Sequence, residues 1–104
     1  MWGDIKGGQV VRYVGASGTP AIPAGARILH IAAHATSAST LAMPNGAPGT
    51  GTGGNVITLP LPASSQWWFY DAMHLEWVWR TGDQMTFTST DAYFVEVHLP
   101  LGGF

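Results

Sequence analysis

The stretch HLEWVWRTGDQMTFTSTDAYFVEVHL, residues 74–99, decides the class of the fold. Its apolar side chains recur at every second position. In 74–80, Leu75, Trp77 and Trp79 fall on one side, and His74, Glu76, Val78 and Arg80 on the other. In 84–89, Met85 and Phe87 alternate with Gln84, Thr86 and Thr88. In 93–99, Tyr93, Val95, Val97 and Leu99 oppose Phe94, Glu96 and His98. Successive side chains of an extended chain point to opposite faces, so this pattern predicts half-buried antiparallel strands. Thr81-Gly82-Asp83 is a connection of the right length and composition for a hairpin joining 74–80 to 84–89.

Working outward, the same alternation predicts strands at 8–14, 26–35, 39–43, 54–60 and 66–70. Between the first two, residues 15–25 hold three glycines and two prolines, a strong break. ARILHIAAHATSA (26–38) has the alanine content of a helix. We assign it as a strand, because Pro23 and Gly25 precede it and no capping residue opens it. Pro60 and Pro62 cannot sit in a central strand, so LPLP runs along an edge or leaves the sheet. Seven or eight short strands in a single 104-residue domain predict an all-β antiparallel sandwich, with a jelly roll as one form of it. Residues 1–9 are a candidate N-terminal arm. Residues 44–55, with five glycines and two prolines, are a candidate flexible loop. Gly49, Gly51 and Gly54 fit G-x-G-x-x-G only formally, because a dinucleotide site requires a helix where this chain has prolines.

Composition narrows the function. Charged residues make up 10% of the chain, against about a quarter in an ordinary globular domain. The formal net charge is −2. A surface with so little charge is poorly protected against association, so a covering partner is expected. Lys6, Arg12, Arg27 and Arg80 are too few and too scattered to neutralise a run of phosphates, which argues against nucleic acid. No cysteine is present, which removes thiol chemistry and thiolate-bound zinc. The N-terminus lacks the pattern of a secretory signal, and no apolar run is long enough for a membrane helix.

No catalytic set emerges. The serines lack a nucleophile-elbow context, and no two carboxylates are marked as an acid–base pair. His30 and His34 would share an ion on a helix, but on a strand they lie about 13 Å apart. His74 with Glu76, and Glu96 with His98, have a spacing suited to joint ligation only if their strands are neighbours. Strand alternation by itself accounts for all four histidines. A metal-dependent, cupin-like enzyme is therefore ranked last, and neither a metal nor a cofactor is expected.

The aromatic residues carry the functional expectation. QWWFYDAMHLEWVW (66–79) holds four of the five tryptophans. Trp77 and Trp79 share one side of their segment and are expected in the core. In 66–70, Trp67 and Phe69 point one way, and Trp68 and Tyr70 the other. Both pairs are internal only if both faces are covered. Otherwise the outward pair is a contact surface, because burying one such ring is worth roughly 2–3 kcal/mol. Trp67, Trp68, Phe69 and Tyr70, with Trp2 as an anchor in the arm, are the candidate contact residues. A protein subunit is favoured over a sugar, since a local sugar site would not require a largely uncharged exterior.

MTFTSTDAYFVEV (85–97) resembles the closing hairpin of small virion proteins of tailed bacteriophages. RILHIAAHATSASTL (27–41) and GNVITLPLPASSQWWF (54–69) are similar in order and style to the same proteins. The resemblance implies a small sandwich on a phage particle, a capsid decoration or cement protein that acts as an oligomer, often a trimer. It implies capsid or other virion proteins as partners, location in the virion after assembly in the bacterial cytoplasm, and no catalytic residues. The alternative is a carbohydrate-binding module or host-surface adhesin with a strand-borne aromatic platform.

Overall fold

The computed structural model describes residues 8–44 and 55–100. Seven strands form: β1 (Gly8–Gly15), β2 (Arg27–His34), β3 (Ser39–Pro44), β4 (Asn55–Leu61), β5 (Trp68–Asp71), β6 (Thr86–Thr88) and β7 (Ala92–Pro100). They make two antiparallel sheets, ordered β1-β7-β2-β5 and β4-β3-β6. This is the order of an eight-stranded jelly roll with one strand missing. Gly18 pairs with Phe87 at the open side of β6, where the missing strand would run.

The alternation seen in the sequence builds the core. From the four-stranded sheet, Ile28, Ile31, Val95 and Val97 point inward and are fully covered. From the three-stranded sheet, Leu41 and Phe87 meet them, both at most 1% exposed. Phe87 stacks flat on Tyr93 of the opposite sheet, with ring centroids 4.2 Å apart. Tyr93 in turn lies over Gly15, where an added Cβ would come within 2.8 Å of its ring. Only glycine permits that approach.

β2 contains a register break between Ile28 and His30. Leu29 is the extra residue of a β-bulge, and the bulge shifts the alternation by one. Ile28 and Ile31, three apart, therefore both face the core, while His30, Ala32 and His34 face out. The three-residue spacing of these two buried isoleucines is the mark of the bulge. Pro60 lies in β4, an edge strand, as its missing N–H requires.

The expected hairpin of 74–80 with 84–89 does not form. Met73–Leu75 is a single 3-10 turn, and Glu76 takes a left-handed conformation at φ 52°. His74 and Glu76 are thus not two positions of one strand. Residues 77–79 then run extended beside the start of β2: Ile28 N–H donates to Trp77 O, and Trp79 N–H to Ala26 O. β6 instead pairs with β3 in the other sheet. Between them, Asp83 accepts from the backbone N–H and the guanidinium of Arg80, closing a turn that carries the chain across the sandwich rather than back along it. The expected core positions survive this rerouting, with Trp77 and Trp79 1% and 3% exposed.

Gly8 and Gln9, placed in the arm by sequence, belong to β1. The rest of that arm, including Trp2, lies outside the described residues, as do residues 45–54 of the expected loop 44–55, whose end residues Pro44 and Asn55 instead belong to β3 and β4.

Replacing Phe87 by Ala removes the ring that joins the sheets and should cost about 3–5 kcal/mol. Phe69→Ala, at an exposed ring, should cost about 1 kcal/mol or less. Urea unfolding midpoints of the two variants check the contrast.

Candidate functional site

The outer face of the four-stranded sheet collects most of the chain's chemistry. Register alignment sets it. Arg12 of β1 lies opposite Glu96 of β7, and Glu96 lies opposite His30 of β2, which lies opposite Asp71 of β5. One row of side chains thus crosses all four strands. One position along, Val14, Phe94, Ala32 and Phe69 form the next row. Ala32 is only 1% exposed although it faces outward, because the rings on both sides close over it.

The polar row is tightly joined. Arg12 donates to Glu96 Oε2 from Nε at 3.1 Å and from Nη2 at 2.7 Å. The other oxygen of Glu96 lies 2.8 Å from His30 Nδ1. His30 Nε2 is 3.7 Å from Asp71 Oδ1, an oxygen whose hydrogen bond comes from the Met73 N–H. The Arg12 hydrogen bond holds the Glu96 carboxyl below its ordinary value of 4.5, against the opposing effect of burial, and His30 adds to the lowering. Both oxygens of Glu96 are engaged by protein groups, so the carboxylate organises its neighbours.

Rings surround this row. The Arg12 guanidinium sits 4.4 Å above the centre of Phe94, a cation–π contact. Trp67 packs on Phe94 and on His34, each with centroids 5.8 Å apart. Phe69 packs on His30 at 5.4 Å. His34 Nδ1 is 3.7 Å from Asp91 Oδ2, and Asp91 also accepts from the Thr36 N–H. The face is therefore a set of rings set among one ion pair, Arg12 with Glu96, and the polar contacts of two histidines.

The four contact candidates of 67–70 separate as strand geometry demands. Trp67 and Phe69 are the outward pair, 50% and 56% exposed, so a wholly internal location of both pairs is ruled out. Trp68 packs against the core. Tyr70 stacks on it with planes 9° apart but stays at the rim of the edge strand. Arg12, His30, His34, Asp71, Phe94 and Glu96 join the site although none was a contact candidate in the sequence, where His30, His34 and Glu96 were weighed only as metal ligands. Their alternation was legible, but the strand order that makes them neighbours was not.

Among the described residues, no group of three or more His, Cys, Asp or Glu is arranged to hold a metal ion. His98 lies further along the same face, with Nε2 buried and unpartnered. The same residues contain no helix long and apolar enough to cross a membrane. The chain matches no protein-family model, no curated protein and no solved structure.

The downward shift of the Glu96 pKa has a definite sign for stability. Its contribution to stability is present above 4.5, the ordinary glutamate value, and is lost as pH falls through the lower folded-state value. Glu96→Gln should flatten that acid limb and leave Arg12 without its charged partner. Unfolding free energy measured from neutral pH downward, for both proteins, checks this.

Proposed function

We propose that the chain is a non-enzymatic structural module that joins protein subunits through the outer face of its four-stranded sheet, as a decoration protein on a phage particle does. The observation that carries this is the exposure of Trp67 and Phe69 on a face otherwise held rigid. Their rings stand half in solvent, each seated against a histidine. Little side-chain entropy remains to be lost when such rings are covered, so burying them favours binding almost in full.

The charge distribution supports the same reading. A chain with few ionic groups places Arg12, Asp71, Asp91 and Glu96 around these rings. Exposed aromatics beside a connected row of polar side chains make an interface centre with its polar surround. Sequence resemblance to small virion proteins supplies the setting: capsid or other virion subunits as partners, and the virion as location.

Half-exposed Trp67 and Phe69 on one face also favour a second function, stacking on the rings of a glycan. The two readings separate experimentally. Added to phage particles assembled without it, the chain should cosediment and raise their resistance to heat. A Trp67→Ala/Phe69→Ala variant should fold and bind at least about 30-fold more weakly, the loss of a single interface hot spot. Quenching of tryptophan fluorescence by micromolar oligosaccharide, abolished by Trp67→Ala, would instead establish the glycan function and overturn the structural one.

A further inference from the structure

Two open sheets have four edges, and three of them are guarded. β5 is four residues long. β4 carries Pro60, and its pairing with β3 shifts register between Met43 and Pro44. β6 has three residues, and Gly18 exchanges both main-chain hydrogen bonds with Phe87 on its open side. Short strands, proline, register breaks and covering segments are how proteins blunt an edge.

Among the described residues, β1 has none of these. It is eight residues long and pairs with β7 in unbroken register from Gly8↔Pro100 to Gly15↔Tyr93. Among the described residues, no strand pairs with its other side. It contains no proline and no bulge. Its one charge, Arg12, turns inward across the sheet to Glu96 and so does not guard the edge. Val10 and Val14 stand 43% and 69% exposed. Alternate residues of such a strand aim unpaired N–H and C=O groups outward.

We propose that β1 pairs with β1 of a second copy of this chain, antiparallel about a two-fold axis normal to the sheet, giving one continuous eight-stranded sheet. The strand's own pattern selects this partner and the register. Val11 and Tyr13 face the core, and Val10, Arg12 and Val14 face out. Pairing must match inward with inward residues, which excludes every register that sets an odd position opposite an even one. Centring on Arg12 would place two guanidinium groups directly opposite each other, which is unfavourable. Centring on Val11 avoids this. It sets Arg12 opposite Val10, Gln9 opposite Tyr13, and Gly8, with no side chain, opposite the prominent Val14.

The pair does not depend on what the outer face binds. Its consequence for any ligand is geometric. The two β5 strands become the outer edges of the joint sheet, seven strand spacings apart, so the two Trp67/Phe69 patches lie roughly 34 Å from each other. A repeating partner surface would then be gripped at two points. This is a two-fold pair, in contrast to the trimer that the sequence resemblance implies.

Light scattering of the purified chain across the micromolar range should show a dimer. Val10→Arg sets a cation opposite the partner's Arg12 and should weaken dimerisation at least tenfold. Val10→Glu sets an anion there and should leave it unchanged or tighten it. Val10 is exposed, and circular dichroism should show both variants folded. The chain has no cysteine, so single thiols report cleanly. Val11→Cys should form a covalent dimer under mild oxidation, whereas Val14→Cys, whose two copies would lie roughly 20 Å apart, should not. A monomer, a trimer, equal effects of the two charges, or cross-linking at Val14→Cys instead of Val11→Cys would each overturn the proposal.

Discussion

The antiparallel pairing of β7 with both β1 and β2 is the constraint on which the molecule depends. It joins the end of the described chain to its beginning, 84 residues apart at Arg12 and Glu96. Because side chains alternate, the same strand serves two purposes. Tyr93, Val95 and Val97 turn inward, and Tyr93 locks the two sheets together through Phe87. Phe94 and Glu96 turn outward and become the middle of the aromatic and ionic rows. Loss of register here would exchange these sets, putting a glutamate into the core and valines into solvent. Core and candidate site are therefore opposite faces of one register.

The bulge at Leu29 makes β2 compatible with that arrangement. Without an extra residue, Ile28 and Ile31 would point to opposite faces, and one of them would displace the row that holds His30. With it, both isoleucines are buried, and His30, Ala32 and His34 all face out. His30 thereby meets Glu96 on one side and Asp71 on the other. A local irregularity of the backbone thus sets the composition of the outer face.

The scarcity of charge has a spatial meaning. Three of the chain's carboxylates, Asp71, Asp91 and Glu96, are gathered on or beside the outer face, with Arg12 and two histidines among them. Among the described residues, the outward strand positions of the other sheet are Thr40, Ala42, Thr58, Pro60, Thr86 and Thr88, none of them ionic. The two faces of the sandwich therefore differ in kind. One is small and neutral. The other combines large rings with a row of polar side chains centred on the Arg12–Glu96 ion pair, and such a combination is suited to recognition, because the polar side chains support the rings without burying them.

Alternation in the sequence was enough to determine the all-β class, the inward sets on β6 and β7, the burial of Trp77 and Trp79, the edge position of Pro60, and the split of residues 67–70 into two pairs. These are local properties, fixed by the period of an extended chain. The same local signal failed at 74–80, where Leu75, Trp77 and Trp79 alternate across a 3-10 turn and a left-handed Glu76, and Asp83 sends the chain to the other sheet. For His30 it gave the outward side but not the neighbours, Glu96 and Asp71, that make it part of the site. Which strands are neighbours, which pair of rings is left outside, and which charges meet are settled by pairings between residues far apart in the chain. Those pairings depend on how two sheets can close over one core, and only the tertiary structure decided them.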